Sequence, residues 1–203
     1  MDSTVLGNVY NKYATRNPVA RVLFQNFLRN VRELLEQVSA ESVLEVGCGE
    51  GYLTRLVAEW LHPSRICGID LSARLFDPAG DSSSALFFSC QSAYQLGFRR
   101  ECFDLVIGAE VLEHLRCPLS ALTEIHRVTS RFVLFTVPRE PIWRVLNLVR
   151  FAYWHNLGNT PGHLQHWSSK SFVALVGRSF DILEVRKPLP WTVVLAVKKA
   201  PGS

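Results

Sequence analysis

No stretch of this chain stays apolar long enough to span a bilayer, and its first residues, MDSTVLGNVYNKYATRNP, carry no apolar signal core. The expectation is a cytoplasmic protein. The five cysteines, Cys48, Cys67, Cys90, Cys102 and Cys117, are odd in number and lack metal-finger spacing. That pattern argues against a disulfide framework and for reduced, mostly buried thiols. Low-complexity tracts and internal repeats are also missing, which excludes solenoid architectures. There is no dense cluster of Lys and Arg and no aromatic platform for stacking single strands, so nucleic acid is a disfavoured partner. A net charge of +4 is mild enough to be a surplus of solvated surface cations.

What is present is an ordinary globular composition, 48% apolar and 20% charged over 203 residues, enough for one domain with a sizeable core. Asn17-Pro18 reads as a helix start, and apolar residues from Val19 to Val38 recur at helical spacing. Strand and helix patterns then alternate: strands at 43–47, 65–70, 86–90, 103–108 and 131–137, helices at 51–61 and 118–127. Alternation of this kind builds an α/β, doubly wound, mostly parallel sheet covered by helices. After a helix at 168–177 come strands at 181–186 and 191–198, joined only by Lys187-Pro188-Leu189-Pro190. A link that short makes them an antiparallel hairpin at the sheet edge and brings the strand count to seven. The single domain divides into a helical cap (1–40), a ligand-binding core (43–137), an insertion (138–167) and a terminal helix and hairpin (168–203).

The most informative segment is VLEVGCGEGYLT, residues 43–54. A strand containing Glu45 runs into Gly47, Gly49 and Gly51, a turn that brings bare backbone against a ligand where the strand ends. A dinucleotide fingerprint, G-x-G-x-x-G, would need its third glycine at Tyr52. The nicotinamide dinucleotides are therefore disfavoured. Asp70 ends the next strand at the spacing where an acid accepts both ribose hydroxyls.

An acid followed by G-x-G-x-G, with Asp70 and the closing hairpin, resembles the class I S-adenosylmethionine-dependent methyltransferases. The likeness extends to the small-molecule and quinone-biosynthesis members. It implies a Rossmann-like fold and S-adenosylmethionine as cofactor. Gly47, Gly49 and Gly51 would face the methionine and ribose part, Glu45 would order the loop, and Asp70 would hold the ribose. Further cofactor contacts are implied at Tyr13, Cys48, Leu71, Ser92, Ala93 and Glu110. Relatives carry an acid after the third strand, where this chain has Gln91, Ser92 and Ala93; the Gln91 side chain or the Ala93 N–H would take over the adenine contact.

The fourth strand ends in FDLVIGAEVLEHL, without the Asn/Asp-Pro-Pro-aromatic turn of base N-methylases or the Pro-Cys of cytosine methylases. If the stretch after Ala109 is helical, Glu110, Glu113 and His114 share one face. His114 or His163 would then be the catalytic base or orienting group. No metal is assigned, but Glu110, Glu113, His114 and His163 are the residues that would hold a divalent ion. That set resembles the small-RNA 3′-terminal 2′-O-methyltransferases. The insertion holds an amphipathic pattern in which Arg144, Asn147 and Arg150 oppose Trp143, Val145, Leu146, Leu148, Val149 and Phe151. In the resembled fold this region forms a substrate lid, which implies a small, apolar or aromatic acceptor, methylated on oxygen. Contact with a membrane surface through 141–154 is a further expectation. The rival readings are a metal-dependent RNA 2′-O-methyltransferase and a cofactor-binding scaffold without catalysis.

Overall fold

A computed structural model describes residues 17–71, 85–149 and 159–200. Helix α1 (Pro18–Leu35) starts where the sequence sets it: the Asn17 side chain accepts the N–H groups of Val19 and Ala20 at 2.9 and 3.2 Å, and Pro18 opens the first turn. Phe24, Phe27, Val31, Leu34 and Leu35 form its buried stripe. The helix ends three residues short of Val38, which follows in a turn closed by its N–H to the Leu35 carbonyl.

The strands are β1 (Ser42–Val46), β2 (Arg65–Asp70), β3 (Leu86–Cys90), β4 (Phe103–Ala109), β5 (Thr129–Pro138), β6 (Phe180–Arg186) and β7 (Trp191–Lys198). Between them lie α2 (Tyr52–Leu61), α3 (Pro118–Val128), α4 (Ile142–Val149) and α5 (Ser169–Val176). The sheet order is β3-β2-β1-β4-β5-β7-β6, with β1 to β5 parallel and β7 antiparallel to both of its neighbours. The final hairpin lies at the sheet edge, as the sequence leads one to expect, with β6 outermost and β7 between β5 and β6. The patterns explain why. Strand β7 is continuously buried from Trp191 to Ala196 and apolar there except for Thr192, as suits an inner strand, whereas β6 alternates.

Alternate residues along the strands feed two cores. On one face Leu105, Ile107, Leu134 and Leu195 meet α1 and α2 through Phe27, Val31, Leu34, Leu53 and Val57. On the other Leu44, Val106, Phe135 and Val194 meet α3 and α5 through Leu122, Ile125, Phe172 and Val176. Strand order reverses between β1 and β4, and the crevice at their C-terminal ends is where open α/β sheets bind ligands. No helix among the described residues is long and apolar enough to cross a membrane.

Candidate functional site

The turn after β1 is held by backbone. Gly47 and Cys48 both donate their N–H to the Ile69 carbonyl, at 2.8 and 2.9 Å. Gly47, Gly49 and Gly51 all take left-handed conformations, with φ of 72°, 55° and 75°. A Cβ on Gly47 would lie 2.5 Å from Val111 Cγ2, and one on Gly51 would run into the Phe88 ring. The loop is thus bare because side chains are excluded by both conformation and space. Asp70 also braces it, accepting the Gly49 N–H at 2.9 Å and the Leu71 N–H at 2.7 Å. Beneath the loop Glu45, only 3% exposed, accepts the hydroxyl of fully buried Thr54 at 2.5 Å. That contact ties β1 to α2 across the loop. The buried Cys48 thiol is pushed far up, first by desolvation and then by the charges of Glu45 and Asp70.

The segment after β3 is the neighbouring wall. The Gln91 side chain accepts the Gly97 N–H at 2.8 Å and donates to Ser89 at 3.1 Å, so the carboxamide braces its own loop. Ser92 accepts the Tyr94 N–H through its hydroxyl and the Gln95 N–H through its carbonyl. Ala93 is half-buried against the core, and Leu71 is exposed. Tyr13 lies outside the described residues, as do 150–158 of the insertion.

Past β4 the helix expected from the sequence does not form. Glu110 has φ 60°, and the turn that follows is a short 3-10 helix, Leu112–His114. The reversal separates Glu110 from the other expected metal ligands: its carboxylate accepts the Trp191 indole N–H at 2.9 Å and the Thr136 hydroxyl at 3.2 Å. Glu113, His114 and His163 do converge, each offering one ligand atom, all within 4.8 Å of one another. His163 arrives because Leu164 and Gln165 donate their N–H groups to the Glu113 carbonyl, at 2.8 and 3.0 Å. His114 Nδ1 stands 2.9 Å from the Gly162 carbonyl. A carbonyl only accepts, so Nδ1 carries the proton and neutral His114 presents Nε2 as a base or ligand atom. Glu113 is 1% exposed and His163 9%. His166 stays outside the group, bonded to Asn159 at 2.8 Å, with its imidazole below the usual range chiefly through burial.

Aromatic rings border this cluster. The Trp143 ring stacks on His163 with centroids 6.2 Å apart and meets Trp191 edge-on at 5.8 Å; Trp191 in turn packs on Phe27 at 4.7 Å. The Thr160 hydroxyl accepts from the Trp143 indole at 2.9 Å and from Asn147 at 3.2 Å. Helix α4 is therefore rotated from the sequence expectation: Asn147, assigned to its polar face, is 2% exposed, and Val145, assigned to its apolar face, is 53% exposed. Thr54, Thr136, Thr160 and Trp191 were not singled out from sequence. Only Trp191 carried a signal, since an indole N–H in an apolar strand needs a buried acceptor. A surface concavity of about 430 Å³ lined by Glu36–Glu41 and Leu61 is at the opposite end of β1 from these groups.

Comparison with known proteins agrees with this fold. Residues 44–134 match the family model described as a methyltransferase domain. An uncharacterized methyltransferase of Schizosaccharomyces pombe is 31% identical over 101 residues, covering 44% of this chain and 36% of that protein. The malonyl-[acyl-carrier protein] O-methyltransferase of Marinomonas is 27% identical over 104 residues, covering 50% of this chain and 38% of its own. The matched part thus spans little more than a third of each relative's length. Among solved structures, the magnesium protoporphyrin IX methyltransferase of Synechocystis with bound SAH superposes with a TM-score of 0.67 at 16% identity, over 92% of this chain and 90% of that one.

Proposed function

We propose a reaction for this chain from one premise: residues 44–134 form a methyltransferase domain of the class I, S-adenosylmethionine-dependent type. The reaction is methyl transfer to the hydroxyl of a small acceptor with an apolar or aromatic body. The observation that carries the acceptor reading is the convergence of Glu113, His114 and His163 beside the ring of Trp143. A relative named as an O-methyltransferase agrees with oxygen as the target atom.

The residues fit the cofactor. Three left-handed glycines, where neither conformation nor space admits a side chain at Gly47 or Gly51, leave bare backbone at the end of β1, and the Asp70 carboxylate stands beside it as an acceptor for ribose hydroxyls. Cys48, Leu71, Ser92, Ala93 and the Glu110 turn complete the contacts, with Glu45 ordering the loop from below. When bound, S-adenosylmethionine supplies a methyl already activated on a sulfonium, so positioning and exclusion of water provide most of the rate. The chain's own chemistry is proton handling: the acceptor's O–H proton passes to His114 Nε2 or to His163, and Glu113 steadies the imidazolium that forms. Trp143 and Trp191 hold the acceptor body and keep water from the oxygen.

A second reading is favoured by the same cluster: Glu113, His114 Nε2 and His163 would hold a divalent ion that lowers the pKa of the acceptor hydroxyl. The Nδ1 contact to the Gly162 carbonyl is the outer-sphere bond that metal-binding histidines use. The test is methyl transfer from labelled S-adenosylmethionine to a panel of phenols and to a metabolite extract, before and after EDTA. Activity that survives EDTA and is lost in His163→Ala supports the base. Activity lost to EDTA and restored by Zn²⁺ or Mg²⁺ supports the ion. Cofactor binding with no turnover on any acceptor sinks both and leaves a scaffold.

A further inference from the structure

The loop after β3, residues 91–98, has no regular structure to hold it, yet its backbone is pinned from a helix elsewhere in the chain. On α3, Glu124 and Arg127 stand three residues apart and pair through two contacts, Nε to Oε1 and Nη2 to Oε2, each 2.8 Å. The same two side chains reach the loop. Glu124 Oε2 accepts the Leu96 N–H at 2.9 Å, Arg127 Nη2 donates to the Leu96 carbonyl at 2.7 Å, and Arg127 Nη1 donates to the Phe98 carbonyl at 2.8 Å. One fork therefore grips both polar groups of a single peptide residue. The Glu124 carboxyl is held down to about 2, first by the Arg127 hydrogen bonds, so it is ionised throughout the physiological range. A part-exposed ion pair contributes little stability by itself, so a pair spent on three loop contacts calls for an account in terms of the loop.

The loop stands next to the cofactor cradle. Gln91 donates its N–H to the Asp70 carbonyl at 2.9 Å, continuing the wall begun by the glycine loop and Asp70. No acid lies between Gln91 and Ala93, the Gln91 carboxamide is bonded to Gly97 and Ser89, and the Ser92 hydroxyl is bonded to Tyr94. The Gln91 carbonyl oxygen and the Ser92 hydroxyl oxygen are thus engaged within the loop, and neither side chain carries the charge of an acid. The backbone offers a donor as well: among the described residues the Ala93 N–H has no acceptor.

We infer that Glu124 and Arg127 are positioning residues for the adenine end of the cofactor: they fix the loop so that its backbone, in place of an acidic side chain, recognises the base. This rests on S-adenosylmethionine being the cofactor, as proposed above. The Ala93 N–H suits N1 of adenine, which accepts. It does not suit N1 of hypoxanthine, which carries a hydrogen.

The experiment is calorimetric titration of S-adenosylhomocysteine and of S-inosylhomocysteine into wild type, Glu124→Gln, Arg127→Met and Arg127→Lys. Arg32→Met serves as the control, since it breaks the exposed Arg32–Glu36 pair on α1. Wild type is expected to prefer the adenine ligand. Glu124→Gln and Arg127→Met should bind it about tenfold more weakly and lose that preference by a similar factor, with the control unchanged. Should Arg127→Met fail to fold, Arg127→Lys, which keeps the charge but not the fork, carries the same comparison. Equal weakening of both ligands, preference intact, means a merely structural pair and overturns the inference. Unchanged binding in Glu124→Gln and in whichever Arg127 variant folds overturns it too. Wild type that binds neither ligand overturns the cofactor reading, and this inference with it.

Discussion

Thr54→Val isolates the contact that joins the glycine loop to its flanking elements. The Thr54 hydroxyl is fully buried and donates at 2.5 Å to a carboxylate that is itself 3% exposed. Valine keeps the shape and takes away the donor. A hydrogen bond to a charged group contributes roughly 1.5–3 kcal/mol, and the carboxylate that loses it stays buried. The added methyl returns less than about 0.8 kcal/mol. The net loss is then about 1–2.5 kcal/mol, and at roughly 2–4 °C per kcal/mol for a chain of this size the melting midpoint falls by about 2–10 °C. Urea unfolding followed by circular dichroism, with an unchanged m-value, gives the free energy. A double-mutant cycle with Glu45→Gln isolates the pair, with a coupling above about 1 kcal/mol expected. Because the contact spans the loop from β1 to α2, the affinity for S-adenosylhomocysteine should fall as well. A loss below about 0.5 kcal/mol with coupling near zero would refute the assignment of Glu45 and Thr54 as the loop's brace.

Gly47→Ala meets two penalties, about 1–2 kcal/mol for a left-handed alanine and a further 1–3 kcal/mol for displacing Val111. Melting and S-adenosylhomocysteine titration should show lower stability and at least about tenfold weaker binding. Thiol labelling of the folded protein at pH 8 should modify exposed Cys117 and spare Cys48 and Cys67 until urea is added, because both are buried and their thiols are raised, Cys67 to about 11; prompt loss of all thiols would contradict the burial. Glu124 has a folded pKa of about 2, depressed from the ordinary carboxylate value. Its contribution is present above about pH 4.5 and disappears as pH falls towards 2, so in acid titration wild type should lose stability faster than Glu124→Gln.

The parallel half of the sheet was legible because each strand there is an apolar run with its own turn signal, and Gly47, Gly49 and Gly51 announce a backbone conformation few other residues adopt. The placement of β7 was less legible. A four-residue link forces antiparallel pairing with β6, but which partner is the edge depends on burial of both faces, visible only in the contrast between WTVVLAV and FDILEVR. Glu110 misled for a physical reason. Helical spacing presumes helical dihedrals, and three tertiary contacts hold this residue at positive φ: its N–H to the Thr136 carbonyl, and its carboxylate to the Thr136 hydroxyl and the Trp191 indole. His163 joined the cluster through backbone bonds to Glu113 from fifty residues away, a pairing with no local signature. Likewise Asn147 turned inward because Thr160 offered it an acceptor.

The reversal at Glu110 does more than remove one carboxylate from the cluster. A non-glycine residue at positive φ costs on the order of 1–3 kcal/mol and persists only where its surroundings over-determine it. Here the three contacts at Glu110 do so, two of them to β5 and one to β7. The sharp exit from β4 leaves Val111 packed against Gly47, at the distance where an added Cβ would collide, and sets Glu113 and His114 in the turn directly after it. The glycine loop and the imidazole cluster thus share one wall. On the proposed reading, methyl transfer by in-line displacement needs donor and acceptor held in register, and a common wall would make any shift of the glycine loop a shift of the cluster as well. Trp191 anchors that wall through an indole that touches α1, α4 and Glu110 together. A chain of contacts thus runs from α1 through Trp191 to the exit of β4 without passing through the glycine loop.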